Sequence, residues 1–271
     1  MTTSNTKNAA ILRWSGSKAK LIPELLRRAP PTFNRYYEPF AGSARLFFEL
    51  QPQRAVLGDL NRCVIDVYRA IRSDWSAVAD ALDSIPRTAE AFYLLRAVLP
   101  ESLDLFHRAA RLIFIMKACF NGVYRTNKAG QFNVPMGNRI YSLPSRDDLQ
   151  IASAKLAGAV LHDGIFQTTL ADCREGDLVY MDPPYRSAGR YRGEYGYANE
   201  FCQENFNSFV ANALALAEKR VSVMISYQYD VELIDALRGW HQHPVYARRT
   251  VSGKASARGD AKELIITSYA T

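Results

Sequence analysis

The sequence predicts a doubly wound α/β fold: a mostly parallel sheet with an antiparallel C-terminal hairpin and an inserted, mainly helical domain. Apolar runs that are typical of strands alternate with helical patterns, which indicates parallel strands joined by helices. Two of these runs, Leu178–Met181 and residues 221–227, are almost wholly apolar, as expected of central strands covered on both faces. The last two runs flank a loop in which no helix fits, so they favour a hairpin.

The N-terminal part of the sheet is predicted from two pairs of strand and helix. Residues 35–39 lead through the turn at 40–43 into a helical pattern over 44–50. A second strand over Ala55–Asp59 is followed by a helical pattern that begins at Asn61. A strand followed by a helix, repeated along the chain, is typical of a doubly wound sheet.

The middle of the chain has a different pattern. Residues 66 to about 121 are helical with few strand signals, and residues 122–145 are rich in Gly, Asn, Pro and Arg. We interpret this stretch as an insertion between the second and third strands. The predicted domains are therefore a catalytic domain over residues 1–61 and 150–271, and a mainly helical domain over residues 62–149.

The C-terminal part returns to the strand pattern. Further strands are predicted over residues 159–161, Leu178–Met181 and 221–227. The hairpin is predicted from residues 244–251 and 264–269, with a basic loop between them. The hairpin adds an antiparallel edge to the parallel sheet.

The composition excludes several classes of protein. The chain has 271 residues, 48% hydrophobic and 23% charged, which excludes disordered and fibrous proteins. Lys and Arg number 34 against 27 Asp and Glu, and the net charge of +7 favours a polyanionic partner such as nucleic acid. The four cysteines form no C-x-x-C pair and have no histidine at zinc-ligand spacing, so we expect no metal. No apolar stretch approaches the roughly 20 residues of a membrane span, so we expect a cytoplasmic protein without membrane contact.

The strongest chemical motif is Asp182-Pro183-Pro184-Tyr185, directly after the apolar run Leu178–Met181. In an open parallel sheet, ligands bind beyond the carboxyl ends of the strands, which is where this carboxylate falls. The two prolines have no N–H, so the carbonyls of this rigid turn serve as acceptors, and Tyr185 adds a flat aromatic face. Acceptors beside an aromatic ring suit an exocyclic amino group on a planar base. The alternative is an ordinary proline-rich turn that ends a strand.

A second motif is the strand-to-helix turn over residues 38–43. Gly42 lets the backbone approach a ligand, and the following helix N-terminus offers N–H groups. One glycine does not make the three-glycine pattern of a dinucleotide-binding loop. Asp59 ends the next strand 17 residues after Gly42, close to the spacing of an acidic residue that binds ribose hydroxyls. We infer a nucleoside-bearing cofactor without a pyrophosphate; the alternative is that Asp59 caps the helix beginning near Asn61.

Two further segments combine polar and aromatic side chains. Trp14 and Lys18 bracket a loop of small residues and suit a carboxylate, the alternative being a structural Trp beside a surface Lys. Residues 120–127 and 131–135 are dense in Arg, Asn, Gln and aromatic side chains, which pair with base edges or wedge into base stacks. The alternative for these residues is an ordinary polar loop. Basic residues of the C-terminal loop, such as Arg258, are expected phosphate contacts.

Taken in chain order, these four segments resemble the DNA adenine methylase family of S-adenosylmethionine-dependent methyltransferases. The resemblance extends from about residue 10 to residue 269. The family's R/K-W-x-G-x-K, E-P-F-x-G, F-N-G-x-x-R with F-N-V-P, and D-P-P-Y segments all have counterparts here. Two segments depart from the family pattern: Ser15-Gly16-Ser17-Lys18 stands for A-G-G-K, and Gly42-Ser43-Ala44 stands for G-A-G. The resemblance implies a Rossmann-like methyltransferase fold in which the insertion is the target-recognition domain.

The resemblance also implies a role for each matching residue. S-adenosylmethionine would be the cofactor, duplex DNA the partner, and no metal would take part. The cofactor contacts fall on Trp14, Lys18, Phe40, Asp59 and Asp182; the catalytic roles on Asp182, Pro183, Pro184 and Tyr185; and the DNA contacts on Arg13, Phe120, Asn121, Val123, Arg125 and Pro135.

The expected reaction is methyl transfer to N6 of an adenine flipped out of duplex DNA. Asp182 and the Pro183 carbonyl would accept the two amino N–H bonds, and Tyr185 would stack on the base. Arg13 and Arg125 would read guanines, which predicts a target such as GATC. We expect a monomer from a bacterium or a phage.

The base contacts expected of residues 120–135 complete this expectation. Val123 and Pro135 would contact a thymine methyl, and Phe120 would wedge into the stack beside the flipped adenine. Two alternatives stay open: a methyltransferase acting on RNA or a protein amide through the same turn, and a DNA-binding protein without catalysis. The intact Asp182 argues against the second alternative, and the residue types of the loop argue for base reading.

Overall fold

The computed structural model describes residues 11–186, 201–248 and 260–271, which form a sheet with helices on both faces. The strands are β1 (Tyr36–Glu38), β2 (Ala55–Asp59), β3 (Ala159–Asp163), β4 (Leu178–Met181), β5 (Ser222–Gln228), β6 (His241–Arg248) and β7 (Asp260–Thr267). The helices are α1 (Ile22–Arg28), α2 (Arg45–Leu50), α3 (Arg62–Asp83), α4 (Ala89–Ala97), α5 (Leu105–Ala118), α6 (Arg146–Leu156), α7 (Phe166–Thr169), α8 (Gln203–Glu218) and α9 (Val231–Ala236). Short 3₁₀ turns lie at Pro100–Ser102 and Phe120–Gly122.

The strands follow the order β3-β2-β1-β4-β5-β7-β6 across the sheet. Neighbours among β1 to β5 are parallel, and β7 is antiparallel to both β5 and β6. This order confirms the predicted doubly wound, mostly parallel sheet with its C-terminal hairpin. The direction of the chain through the sheet reverses between β1 and β4, so their carboxyl ends form a topological switch point, where open α/β sheets bind ligands.

The buried strands send alternate side chains to two separate cores. In β4, Leu178 and Tyr180 belong to the core that α1, α2, α3, α5 and α6 cover, whereas Val179 and Met181 belong to the core under α7, α8 and α9. Successive side chains of a strand point to opposite faces, so an apolar residue at every position requires cover on both sides. The apolar run therefore folds as a central strand.

The helical segment between β2 and β3 packs directly on the sheet. α3 runs along α5 and α6, and its buried side chains share one core with β1 and β2. At Asp74 the backbone of α3 leaves the helical conformation, and the Asp74 carboxylate accepts hydrogen bonds from the N–H groups of Ser76 and Ala77. The carboxylate acts as an internal cap that restarts the helix after the kink.

Residues 119–141, which we call the recognition loop, fold back on themselves as an irregular hairpin. Isolated bridges pair Cys119 with Met136 and Thr126 with Phe132. The sequence predicts a loop here without pairing, because the paired positions are too few and too widely interrupted to leave an alternating pattern. The bridges give the loop a defined shape beside the end of α5.

The two C-terminal strands begin earlier than predicted. β6 starts at His241 rather than at residue 244, and β7 starts at Asp260 rather than at residue 264. β6 is one of the two edge strands of the described sheet, and an edge position tolerates Pro244 inside the strand because no partner needs its missing N–H. The predicted phosphate contact Arg258 lies outside the described residues. No helix in the described ranges is long and apolar enough to cross a membrane.

Asp66 of α3 gives a first prediction, on stability. Its buried carboxylate accepts hydrogen bonds from Arg108 at 2.6 Å and from Arg69 at 3.3 Å. We expect Asp66→Ala to lower the free energy of unfolding by about 3 kcal/mol, because Arg108 then holds an unpaired charge in a mostly buried position. Urea unfolding followed by circular dichroism measures the change.

Asp83→Ala is the matched control, since it is the same substitution on the same helix. Asp83 is exposed and pairs with Arg146 at 2.7 Å, so we expect a change of at most about 0.5 kcal/mol. Equal losses in the two variants would contradict the idea that burial sets the strength of the Asp66 interactions.

Candidate active site

A cleft opens at the switch point between the carboxyl ends of β1 and β4. Three segments form its walls: residues 14–18 before α1, the turn at 40–43 after β1, and residues 182–185 after β4. The cleft thus brings together the residues that the sequence predicted for catalysis and cofactor binding, which are Trp14, Lys18, Phe40, Asp59, Asp182, Pro183, Pro184 and Tyr185. These residues come from opposite ends of the chain and meet because parallel strands end at one edge of the sheet.

Asp182 lies at the end of β4 in an ion pair with Lys18. Its Oδ1 is 2.7 Å from the Lys18 Nζ, and both side chains are largely buried. Burial raises the pKa of Asp182, while the charge of Lys18 and hydrogen bonds from Lys18 and Ser226 lower it. On balance the pKa of Asp182 is raised, and the lysine limits that rise at a place where burial favours the neutral acid.

The loop at residues 15–18 fixes the position of the lysine. The Lys18 ammonium donates to the carbonyl of Gly16 at 3.1 Å and lies 5.2 Å from the ring centre of Tyr185. A cation near an aromatic ring is attracted to its negative face. Lys18 thus joins the N-terminal loop to both ends of the D-P-P-Y turn.

Tyr185 is held from β7 and β5. Its hydroxyl donates to the carboxylate of Glu263, with a distance of 2.9 Å to Oε2, and its ring packs edge-on against Tyr227 at 5.1 Å between centroids. Glu263 is buried and was not among the residues predicted from the sequence. The sequence alone does not indicate this role, because Glu263 reaches Tyr185 only through the pairing of β7 with β5.

Glu38 is a second carboxylate that the sequence analysis did not assign. It ends β1, is 3% exposed, and accepts a hydrogen bond from the Tyr36 hydroxyl at 2.9 Å. Burial raises the pKa of Glu38 to about 8, so the side chain is mostly protonated at neutral pH. The available sequence signal was its position at the end of a buried strand, which Asp59 and Asp182 share.

Asp59 organises the turn after β1. Its Oδ2 accepts from the Gly42 N–H at 2.9 Å and its Oδ1 from the Asn61 N–H at 2.8 Å. Burial raises the pKa of Asp59 to about 6, against the lowering effect of these two backbone bonds. The capping residue of α3 is Asn61, whose side chain accepts from the Cys63 N–H, so Asp59 is not itself the cap.

Gly42 allows the turn to lie against Trp14. Its φ is +46°, a conformation that favours glycine, and a Cβ at this position would be 2.9 Å from the Trp14 Cδ1. The hydroxyl of Tyr68, a buried residue of α3, donates to the Gly42 carbonyl at 2.6 Å. Phe40, on the same turn, packs against Phe166 with 5.4 Å between the ring centroids. The turn is therefore fixed on both sides and has no room for a side chain at Gly42.

The recognition loop is attached to the cleft through the N-terminal segment. The Arg13 Nη1 donates to the Cys119 carbonyl at 3.1 Å, and the Ser15 N–H donates to the Gly122 carbonyl at 2.9 Å. Trp14, between them, stacks on a ring of the loop, Tyr124, with 5.4 Å between centroids and 29° between planes. The structure thus brings Arg13 to the loop and Lys18 to the D-P-P-Y turn.

The other predicted DNA contacts lie in this loop. Phe120 is 45% exposed, and its N–H donates to the carbonyl of the exposed Pro135. Asn121 has a φ of +55°, and Val123, two residues on, is partly buried. Arg125 donates through Nε to the Asn133 Oδ1 at 2.8 Å, which ties the two strands of the irregular hairpin together.

Comparison with known proteins gives a consistent result. A family model described as D12 class N6 adenine-specific DNA methyltransferase matches residues 14–250 of the chain. The chain is 32% identical to a DNA adenine methylase of Serratia marcescens over 270 residues, covering 96% of this chain and 98% of the relative. It is 30% identical over 269 residues to the Type II methyltransferase M1.LlaDCHI of Lactococcus lactis subsp. cremoris, covering 95% and 94%. It is 29% identical over 268 residues to a DNA adenine methylase of Escherichia coli strain K12, covering 96% and 95%.

Proposed function

The chain belongs to the D12 class of N6 adenine-specific DNA methyltransferases, and from this premise we propose which of its residues carry out the reaction and read the target. The observation that carries the proposal is the Lys18–Asp182 pair at the switch point of the sheet. This pair sets a carboxylate beside a cation at the place where we propose that the amino group of an adenine is received.

S-adenosylmethionine is the methyl donor of this family, and the residues of the cleft fit it. When bound, it supplies a methyl group on a positively charged sulfur. The negative carboxylate of Asp182 suits that charge, and Lys18 and Trp14 suit the methionine carboxylate. Asp59 suits the ribose hydroxyls, with Phe40 on the turn beneath.

The purine of the cofactor fits beyond Asp59. Leu60 is 48% exposed directly after β2, and Ile165 is 55% exposed shortly after β3. β2 and β3 are neighbours in register, and the Gly164 N–H donates to the Asp59 carbonyl at 3.0 Å, so the two apolar side chains follow adjacent strand ends. Exposed apolar side chains beside a polar ribose site suit a flat heterocycle.

Asp182 and Pro183 prepare the amino group for reaction. The lone pair of an amino group on a purine is delocalised into the ring, which makes it a poor nucleophile. Hydrogen bonds from its two N–H groups to the Asp182 carboxylate and the Pro183 carbonyl localise the lone pair on nitrogen. Methyl transfer forms one N–C bond, breaks the bond between the methyl group and sulfur, and releases one proton from the nitrogen. Asp182 is placed to accept that proton, and burial, which raises the pKa of Asp182, makes it a better acceptor.

The target adenine must leave the helix to reach this turn. Tyr185 offers the ring on which the flipped base stacks, and its bond to Glu263 keeps that ring in place. Phe120, exposed on the recognition loop, is suited to fill the gap that the base leaves in the stack. We therefore propose that the cleft holds the adenine while the loop holds the rest of the duplex.

Base reading falls on the recognition loop and on Arg13. A guanidinium matches guanine O6 and N7 with two donors, so Arg13 and Arg125 suit two guanines, and GATC is the target we propose. Val123 and Pro135 suit a thymine methyl group, and Asn121 lies among these residues in the loop.

We further propose that target recognition and catalysis belong to different domains of the chain. In this proposal residues 62–149 are the target-recognition domain, which shares a core with the sheet, and residues 1–61 and 150–271 are the catalytic domain. We also propose that the protein acts as a monomer. The family match favours DNA over the alternative substrates RNA and a protein amide.

Asp182→Ala tests the catalytic assignment. We expect methyl transfer to fall by at least about 100-fold, because the acceptor of the amino N–H is lost, while binding to duplex DNA survives through phosphate contacts. The measurements are incorporation of labelled methyl groups and a gel-shift titration. Asp235→Ala, at an exposed aspartate of α9, is the control and is expected to keep full activity. Near-normal turnover in Asp182→Ala would show that the active site lies elsewhere.

Lys18→Met tests the electrostatic role of the ion pair. Lys18 lowers the pKa of Asp182, so its removal raises that pKa, and the acid side of the activity profile shifts to higher pH. The measurement is kcat against pH at saturating cofactor and DNA. Lys219→Met, at an exposed lysine after α8, is the matched control with an unshifted profile. A Lys18→Met profile with the wild-type midpoint would contradict the role of Lys18.

Arg125→Ala tests base reading. We expect it to lose about 1–3 kcal/mol of discrimination at one base pair and to leave cofactor affinity unchanged. Methylation of duplexes that differ from GATC by one base pair measures the discrimination, and calorimetry measures cofactor binding. Arg238→Ala, at an exposed arginine after α9, serves as the control. An equal loss on every duplex would make Arg125 a phosphate contact instead.

A further inference from the structure

Tyr141 of the recognition loop lies against two arginines. The Arg13 guanidinium carbon is 4.0 Å from the ring centroid of Tyr141, and that of Arg139 is 4.4 Å from the same centroid. A hydrogen bond with Arg139 and the charge of Arg13 both lower the pKa of the Tyr141 hydroxyl. The two cations and the ring therefore form one stack.

The ring of Tyr141 is fixed from a rigid element. Its backbone N–H donates to the Lys117 carbonyl at 3.0 Å, and Lys117 lies in the last turn of α5 with its side chain buried. A second hydrogen bond attaches the loop to the same helix end: the Gly137 N–H donates to the Ala118 carbonyl at 2.8 Å. The position of the ring thus follows from the end of α5 and not from the loop alone.

Arg13 is held on its other sides by backbone. Its Nη1 donates to the Cys119 carbonyl, and its side chain runs along Gly122, where a Cβ would be 3.0 Å from the Arg13 Cγ. A guanidinium carries five N–H groups, so one bond to a carbonyl leaves donors for a base edge. An arginine that is already held in one direction loses less conformational entropy when it pairs with a base.

We propose that Tyr141 is a specificity-determining residue that acts by positioning Arg13. Its ring holds the guanidinium in the direction in which Arg13 meets its base pair. This inference rests on the proposed role of Arg13 as a base reader. Tyr141 acts through the face of its ring and not through its hydroxyl.

The test compares Tyr141→Leu with Tyr141→Phe. Leucine keeps apolar volume and loses the aromatic face, whereas phenylalanine keeps the face and loses only the hydroxyl. Arg13→Ala defines the base pair that Arg13 reads, as the position of GATC at which this variant loses discrimination. At that base pair we expect Tyr141→Leu to lose about three- to tenfold in discrimination, and Tyr141→Phe to match the wild type.

The double variant Arg13→Ala/Tyr141→Leu separates positioning from a general effect. If Tyr141 acts through Arg13, the double variant discriminates no worse than Arg13→Ala alone. Discrimination at the other base pairs and cofactor affinity by calorimetry are expected to stay at the wild-type values. A residue with a merely structural role would instead lower kcat on all duplexes together.

Tyr93→Leu is the matched control. Tyr93 of α4 is also an exposed tyrosine with an arginine near its ring, Arg96, at 5.1 Å from the centroid. We expect the Tyr93→Leu enzyme to keep the wild-type preference at every base pair. Thermal unfolding of all variants shows that each is folded at the assay temperature.

The outcomes distinguish this inference from the function on which it rests. If Arg13→Ala keeps the wild-type preference, Arg13 is not a base reader, and the role of Tyr141 falls with it. If Arg13→Ala loses preference but Tyr141→Leu keeps it, only the role of Tyr141 is overturned. A Tyr141→Phe variant that is as defective as Tyr141→Leu would also overturn it, because the hydroxyl would then be the active group.

Discussion

The ion pair between Lys18 and Asp182 joins two segments that are far apart in the chain, and the geometry of the cleft depends on it. Asp182 must end a buried strand to reach the switch point, and burial there favours the neutral acid. Lys18 offsets that cost, but only if the loop before α1 crosses to the end of β4. The same requirement brings Trp14 against Gly42, where there is no room for a side chain. One electrostatic constraint therefore fixes the path of the N-terminal segment.

The acidic side chains of the cleft differ in protonation because their surroundings differ. Glu38, with a pKa near 8, carries a proton at neutral pH, whereas Asp59, with a pKa near 6, is mostly ionised. Asp59 differs from Glu38 in accepting two backbone N–H bonds, which favour the charged form. Three full negative charges so close together would repel each other, and the protonation of Glu38 together with the cation of Lys18 reduces that repulsion. The negative charge that remains in the cleft suits the positively charged sulfonium of S-adenosylmethionine.

The central part of this site could be predicted from sequence because its signals are local. The strand Leu178–Met181 has the predicted bounds, since an apolar run between turns is recognisable by itself, and the turn after it carries its acceptors in consecutive positions. Glu38 and Glu263 were missed because desolvation and pairing across the sheet are properties of the folded chain. Tyr141 was missed for the same reason: its partner Arg13 is more than a hundred residues away. The predicted start of β6 is three residues late, because a proline is unfavourable inside most strands but is tolerated in an edge strand.

Two of the residues that depart from the family pattern are in contact in the structure. Ser17 and Ser43 stand where the family has glycine and alanine, and their hydroxyl groups are 3.1 Å apart, so the two changes create one hydrogen bond between the N-terminal loop and the turn after β1. Ala44 stands where the family has glycine and keeps a left-handed φ of +46°, at a cost of about 1 kcal/mol for its Cβ. The turn holds this conformation because Ala44 is the residue before α2 and its carbonyl accepts the Phe48 N–H. The backbone geometry of the cleft is thus maintained by contacts and not by the glycines alone, which explains how a chain with altered glycine positions keeps the site of its family.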